Sequence, residues 1–294
     1  MVVSADLVLM SLIHGLTIGT ALMLVTVGLS LIFGIMGVLN FAHGSLFMLG
    51  AYFGLTIERL TGNFWLALLI APLIVAGIAI LLERSVIRPL YGMPPLKHLL
   101  LTFGISLMVG DIVPWIWGRD FFSITKPLFL EGGFLLAGTQ FPYFRLFILL
   151  FSSALVFLMW YTLKYSRYGL AIRAGIHDIE MVDALGVNIH KTFMVTFGVG
   201  SALASIAGVI IGALRTVNPA MGVDIITDAF VVIVIGGLGS FKGAVVGSLI
   251  LGLTVSFGVL LFALVGMPYL AKFSIYIAMV IILLLKPEGL FREF

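Results

Sequence analysis

The chain has 294 residues, of which 62% are hydrophobic and 10% charged, with a net charge of +3 and no cysteine. With a mean hydropathy of +1.25, a chain of this length cannot hide its apolar surface from water, so its solvent is lipid. The composition excludes disulfide and thiolate chemistry, and the modest positive charge fits a bias of Lys and Arg toward one membrane face, not the clustered basic surface that binds nucleic acid.

Membrane spans are predicted over 7–33, 43–60, 64–83, 98–117, 143–163, 192–214, 223–238, 243–265 and 270–286. The total is eight or nine, because 223–238 and the stretch around 34–45 also read as half-helices. The fold class is all-α, a polytopic transmembrane bundle with Gly-rich interrupted segments, forming one transmembrane domain over 1–294 with a polar segment at 164–192. The first apolar run has no basic leader and no early small-residue cleavage site, so it reads as a span and not as a removed signal peptide. Glu83-Arg84, Arg88 and Lys97 form one charged loop. Lys164, Arg167, Arg173 and Lys191 form another, and Lys286 and Arg292 mark the C-terminal end. Nine spans put all three on one side, which the positive-inside rule makes cytoplasmic, and leave the N-terminus outside. The 118–142 loop then lies outside too, with turns and short strands or a re-entrant piece.

The first constellation is Gly34-Ile35-Met36-Gly37, followed by Asn40, His43 and Ser45. Unwound backbone at membrane depth is tolerated only where it is buried in protein or lines a cavity, and a helix starting near Ala42 would aim its free N–H groups into that space. The alternative is an ordinary turn, with Asn40 as N-cap and His43 bonded to a carbonyl. A faint echo of this pattern recurs in Ile235-Gly236-Gly237-Leu238-Gly239-Ser240 and Lys242-Gly243-Ala244-Val245, as expected of an internal repeat around a transport site. Lys242 does not make a phosphate loop: Phe241 precedes it and Gly243 follows it, where a Gly-Lys-Ser/Thr run is needed.

Farther along, Pro219 and Gly222 break a helix, and Asp224 and Asp228, four apart, share one face. With Asn218 and with Arg215 as the expected ion-pair partner, they read either as the polar lining of an outer mouth or as a pair pinning a loop to the membrane surface. The five histidines (His14, His43, His98, His177, His190) show no paired ligand spacing, so no metal is expected.

The polar segment carries a short amphipathic helix with Asp178 as N-cap, Glu180 in its first turn and Gly186 as its stop. Ile179, Val182 and Leu185 give an apolar stripe, with Met181 beside it. A helix lying on anionic lipid would carry Lys and Arg; this one carries Asp178, Glu180 and Asp183, which points to a protein partner.

Several ordered motifs carry a resemblance. They are Asn40-Phe41-Ala42-His43-Gly44-Ser45, Arg88-Pro89-Leu90, Ser166-Arg167-Tyr168-Gly169, Ala184-Leu185-Gly186-Val187-Asn188, Asn218-Pro219, Gly236-Gly237-Leu238-Gly239-Ser240 and Lys286-Pro287-Glu288-Gly289-Leu290-Phe291. Together they resemble the permease subunits of branched-chain amino-acid ABC importers, over nearly the whole chain. The resemblance implies a multi-pass protein of the bacterial inner membrane that is not an enzyme and binds no cofactor. It implies a second related permease subunit, two cytoplasmic ATP-binding subunits that hold the ATP, and an extracytoplasmic substrate-binding protein. It places Asn40, His43 and Ser45 by the substrate pathway, to which Asn218, Asp224 and Asp228 are added from the outer-mouth reading above, and Arg173, Asp178, Glu180, Met181, Asp183, Leu185 and Gly186 on the surface coupled to the ATPase. Asp228 departs from the pattern, standing where other members often have a lysine, and the 118–142 loop matches nothing recognisable. An ion-coupled secondary transporter would need a buried mid-span carboxylate, and an intramembrane enzyme a catalytic pair at depth; neither pattern is present.

Overall fold

The computed structural model describes residues 5–136, 138–177 and 179–291; the expected N-cap Asp178 and the side chain of Glu180 lie outside what it describes. Eleven α-helices carry the described chain: α1 (Ala5–Met36), α2 (Ala42–Thr61), α3 (Phe64–Leu82), α4 (Pro95–Trp117), α5 (Tyr143–Tyr165), α6 (Arg167–His177), α7 (Ile179–Ala184), α8 (Ile189–Leu214), α9 (Met221–Gly236), α10 (Phe241–Leu264) and α11 (Phe273–Leu285). A hairpin of β1 (Gly133–Leu136) and β2 (Thr139–Pro142) fills the loop between α4 and α5, where short strands are one of the expected readings.

Seven helices are long and apolar enough to cross a membrane among the described residues. The two remaining expected segments are α2 and α9, and both depart from a simple span for physical reasons. The 16 residues of α9 reach about 24 Å, short of a roughly 30 Å hydrocarbon core, as a half-helix does. The 20 residues of α2 are long enough, but its neighbours bury it from Ala42 through Tyr52. Shielded from lipid by protein, it can carry His43, Ser45 and Glu58, all of them buried.

The centre of the bundle is α1, α2 and α8, closed on one side by α10. Small residues bring these helices together, which is how helices associate where lipid is as apolar as the side chains. A Cβ on Gly28 of α1 would stand 2.5 Å from the Gly200 carbonyl of α8, so no larger residue fits there. Gly15 and Gly19 of α1 meet Leu253 and Leu249 of α10, while Gly34 meets Gly239. The register falls as α1 advances, so α1 and α10 run antiparallel. The hydroxyls of Thr26 and Ser248 join the same pair at 2.7 Å. Around this centre α3, α4, α5 and α11 turn large side chains outward, among them Leu73, Leu107, Trp115 and Leu284, as lipid-facing helices do.

The end of α3 is a feature that charge counting alone does not reveal. Its last turn loosens into a π-helix over Glu83–Ile87, and Glu83 turns inward, fully buried. Arg88 clasps it with two bonds, Nη2 to Oε2 at 2.7 Å and Nε to Oε1 at 3.1 Å, and the Tyr91 hydroxyl donates to Oε1 at 2.7 Å. Burial, reinforced by the Glu83 carboxylate, holds the Tyr91 phenol well above its usual range, so it stays a donor. The spacing Glu-x4-Arg-x2-Tyr at the end of an apolar helix is the signal that could have revealed this clasp.

Candidate translocation site

The local chemistry at 37–45 makes a re-entrant break. Gly37 ends α1 with a left-handed φ of 63°, and its N–H caps the Phe33 carbonyl at 2.8 Å. The chain then climbs back along the bundle before α2 begins. His43 Nε2 bonds the Val25 carbonyl at 3.0 Å, and because a carbonyl only accepts, that nitrogen carries the proton. Val25 precedes Met36 by eleven residues, about 16 Å of helix. On the other side the Ser45 hydroxyl donates to Ser106 at 3.1 Å, and Ser106 follows Pro95 by eleven residues, again about 16 Å. The four steps from Gly37 to Phe41 can cover at most about 13 Å, at roughly 3.3 Å each. The His43 and Ser45 contacts are made one and three residues into α2; just before it the Phe41 N–H meets Thr102, seven residues past Pro95, so α2 starts about 10 Å inside the face formed by the Met36 end of α1 and the Pro95 end of α4.

Backbone exposed at such depth needs partners. Thr102 of α4 supplies them: its hydroxyl donates to the Leu39 carbonyl at 3.1 Å and accepts the Phe41 N–H at 3.1 Å. Asn40 is not the N-cap expected from its type. Phe41 holds that position with helical φ and ψ of −67° and −28°, and no side chain caps the helix. A capping side chain works from extended backbone, so Asn40 stands one residue too early. Its amide is fully buried, and neither Oδ1 nor Nδ2 has a hydrogen-bond partner; His43 Nδ1 also lacks one. Of the two readings of His43, the bond to a carbonyl is what the structure shows for Nε2.

The start of α2 also presses on α9. A Cβ on Gly44 would collide with the Gly222 carbonyl and with Ile226, and the rings of Phe41 and Phe230 lie 4.6 Å apart. Gly222, Ile226 and Phe230 therefore form the α9 face toward α2, while Asp224 and Asp228 face elsewhere. They line an open cavity of about 350 Å³ shared with α1, α8, α10 and the 268–272 turn. Five of the six residues expected along one pathway thus fall into two groups on different sides of α9. Asn218 belongs to neither: its Oδ1 accepts the Ala220 N–H at 3.0 Å and shapes the turn before α9. The partner of Asp224 is Lys272 at 3.1 Å, not Arg215, because the 268–272 turn brings a lysine nearer than the α8 end brings its arginine.

The polar segment folds as α6 and α7. Tyr168 bonds the Thr192 carbonyl at 2.7 Å and the Thr196 hydroxyl at 2.9 Å, tying α6 to α8. Arg173 caps the Leu163 carbonyl at the end of α5, so it fastens the segment and is half-buried. Gly186 stops α7 with a φ of 83°, where a side chain would be strained, and its N–H reaches the Asp183 carbonyl at 2.9 Å. The expected stripe divides: Val182 is buried, whereas Leu185 is 76% and Met181 58% exposed, with Asp183 exposed between them. Tertiary packing claims Val182 and leaves Met181 and Leu185 as a surface.

Beside this segment, Met36, Tyr91, His98 and His190 line a second cavity of about 400 Å³. His98 is buried there with neither ring nitrogen bonded. That cavity joins the α1 end, the 91–95 loop and the α8 start, so the basic residues near 84–97 and 164–191 share one face, as their sequence distribution requires.

A helical bundle with a central helix broken at depth defines a polytopic membrane protein of the transporter type. The sequence model of the family described as "Branched-chain amino acid transport system / permease component" matches residues 11–284, and the chain belongs to that family. It is 30% identical over 299 residues to the high-affinity branched-chain amino acid transport system permease protein BraD of Pseudomonas aeruginosa, covering 96% of this chain and 95% of the relative. It is 30% identical over 297 residues to the corresponding protein LivH of Escherichia coli K12, covering 88% and 94%. A shorter match, 33% identical over 101 residues and about a third of each chain, is to the ribose import permease protein RbsC of Escherichia coli. Among solved structures, PsaBC from Streptococcus pneumoniae in complex with Fab shares the fold, with a TM-score of 0.50 at 15% identity, over 92% of this chain and 89% of that one.

Proposed function

We propose that this chain is the membrane-spanning permease of an importer that carries branched-chain amino acids, or a related small polar or aliphatic solute, across the bacterial inner membrane. Separate ATP-binding subunits supply the energy, a second related permease completes the path, and an extracytoplasmic binding protein delivers the solute. Family membership over residues 11–284 is the observation that carries this reading. The face holding the basic segments is cytoplasmic, which puts the C-terminus inside and the N-terminus outside. The α6–α7 segment fits the docking role: it is fastened to α5 and α8 by Arg173 and Tyr168, and it shows Met181, Asp183 and Leu185 outward. A push on that surface is passed to α8, which packs on both α1 and α2. The chain needs no cofactor of its own and catalyses nothing in this reading.

Proteoliposomes test it. The complete complex is expected to concentrate labelled leucine when ATP is inside and the binding protein outside, and the permease alone is expected to concentrate none. Uptake against a gradient by the isolated chain would overturn the reading. Within the complex, Leu185→Glu is expected to leave the permease in the membrane and to cut uptake about tenfold, as loss of a central apolar anchor does at protein interfaces.

A further inference from the structure

We propose that the cavity between α1, α8, α9, α10 and the 268–272 turn holds a zwitterionic α-amino acid, with its ammonium on Asp228, its carboxylate between Arg215 and Lys272, and its aliphatic side chain on the apolar wall. This rests on the permease reading and adds the place where the permease itself grips its solute.

The cavity, of about 350 Å³, is large enough for one aliphatic amino acid. Its wall is mostly hydrocarbon, with Leu22, Leu251, Val255 and Ile275 contributing from three helices. Into this wall come charges of both signs, and Asp224, Lys272 and Arg215 all lie within electrostatic range of Asp228. Asp228 is the decisive residue. Its Oδ1 is buried and has no hydrogen-bond partner, and a carboxylate oxygen set in an apolar wall is costly unless donors meet it. An α-ammonium carries three N–H donors.

The basic groups are placed to receive the other end. Arg215 is exposed and forms no salt bridge among the described residues. Lys272 is held by Asp224 at 3.1 Å, but the two side chains are 52% and 65% exposed, and so open a pair exchanges cheaply for another carboxylate. Asp224 and Asp228 are one turn apart on α9, so the two ends of the site are offset by about 5–6 Å. A single Cα bearing both charged groups spans that offset with a hydrogen bond at each end. A plain amine would leave Arg215 and Lys272 facing its positive charge, and a plain carboxylate would face Asp228. Only a solute carrying both charges meets both ends.

The native chain has no cysteine, which makes the test direct. Val255→Cys, in the assembled complex with its ATP-binding subunits, is labelled with a methanethiosulfonate reagent. L-Leucine is expected to slow labelling about tenfold, whereas 3-methylbutylamine and 4-methylpentanoate, each lacking one charge, are expected to protect little, as sites with buried polar groups reject analogues that leave them unpaired. Adding Asp228→Asn to the same chain is expected to remove the protection. Leu22→Cys serves if Val255→Cys does not assemble. Equal labelling with and without leucine, in a complex that still imports leucine, overturns the site and leaves the permease reading intact. Equal protection by 4-methylpentanoate overturns it too, since it would show mere filling of an apolar hole. A complex that imports neither leucine nor any related small polar or aliphatic solute overturns the permease reading, and one that imports such a solute but no amino acid overturns the site alone.

Discussion

The two helix breaks, at 37–41 and at 237–240, faintly echo each other in sequence, and the last turn of α1 before the first meets Gly239 of the second through Gly34, yet they are built differently. The second is a tight turn at the membrane face. Ser240 caps α10 by accepting the Gly243 N–H at 3.1 Å, and the C-terminal segment seals the end of α9 with bonds from Leu290 and Phe291 to the carbonyls of Ile235 and Gly236. Its needs are met by its own serine cap and by the backbone of the C-terminal segment. The first break runs back into the bundle, and its backbone depends on one hydroxyl from another helix, Thr102. It also keeps a buried Asn40 amide with no partner. Motions that carry a solute need an element whose bonds can be exchanged at small cost, and the first break has that character while the second is a fixed corner.

Substitutions at the two breaks should therefore differ in kind. The largest effect is expected from Gly44→Leu, which drives a side chain into the Gly222 carbonyl and Ile226. Overpacking of about 3 kcal/mol is expected, with loss of the monodisperse permease in size-exclusion chromatography. Next comes Thr102→Val, which strips both partners from 37–41 at a cost of about 2 kcal/mol. Uptake by the complex is expected to fall further than the amount of permease recovered. If yield and uptake fall in parallel, Thr102 is only a structural tie. The smallest effect is expected from Ser240→Ala, which removes a cap worth about 1 kcal/mol. Thermal stability in detergent should drop slightly while uptake is kept; a strong loss of uptake would mean that the second break moves as well.

Much of this was legible in the sequence. The apolar runs give the helices, the lysines and arginines give the shared face, and Gly186 gives the end of α7, because each reports a local requirement. Depth was not legible. Nothing near Asn40 says that the chain climbs about 10 Å before α2 begins, since the partners that fix it, Val25, Thr102 and Ser106, come from other helices. Hydropathy also misleads at α2, which is less apolar because protein, not lipid, surrounds it. The carboxylates of α9 were found by their spacing, but their partner Lys272 lies 48 residues away and only the fold reveals it. The clasp of Glu83 by Arg88 and Tyr91 was hidden inside what reads as a simple run of charge.

The contrast between the breaks is tested most directly by single cysteines at Asn40 and Leu238 in the complete complex, probed with a membrane-impermeant maleimide. Leu238→Cys, on an exposed position, is expected to react at the same rate with and without ATP turnover. Asn40→Cys is expected to stay silent at rest and to react during turnover, when the first break opens to water. Reaction at Asn40→Cys that is unchanged by turnover would contradict the view that this buried break is the moving part.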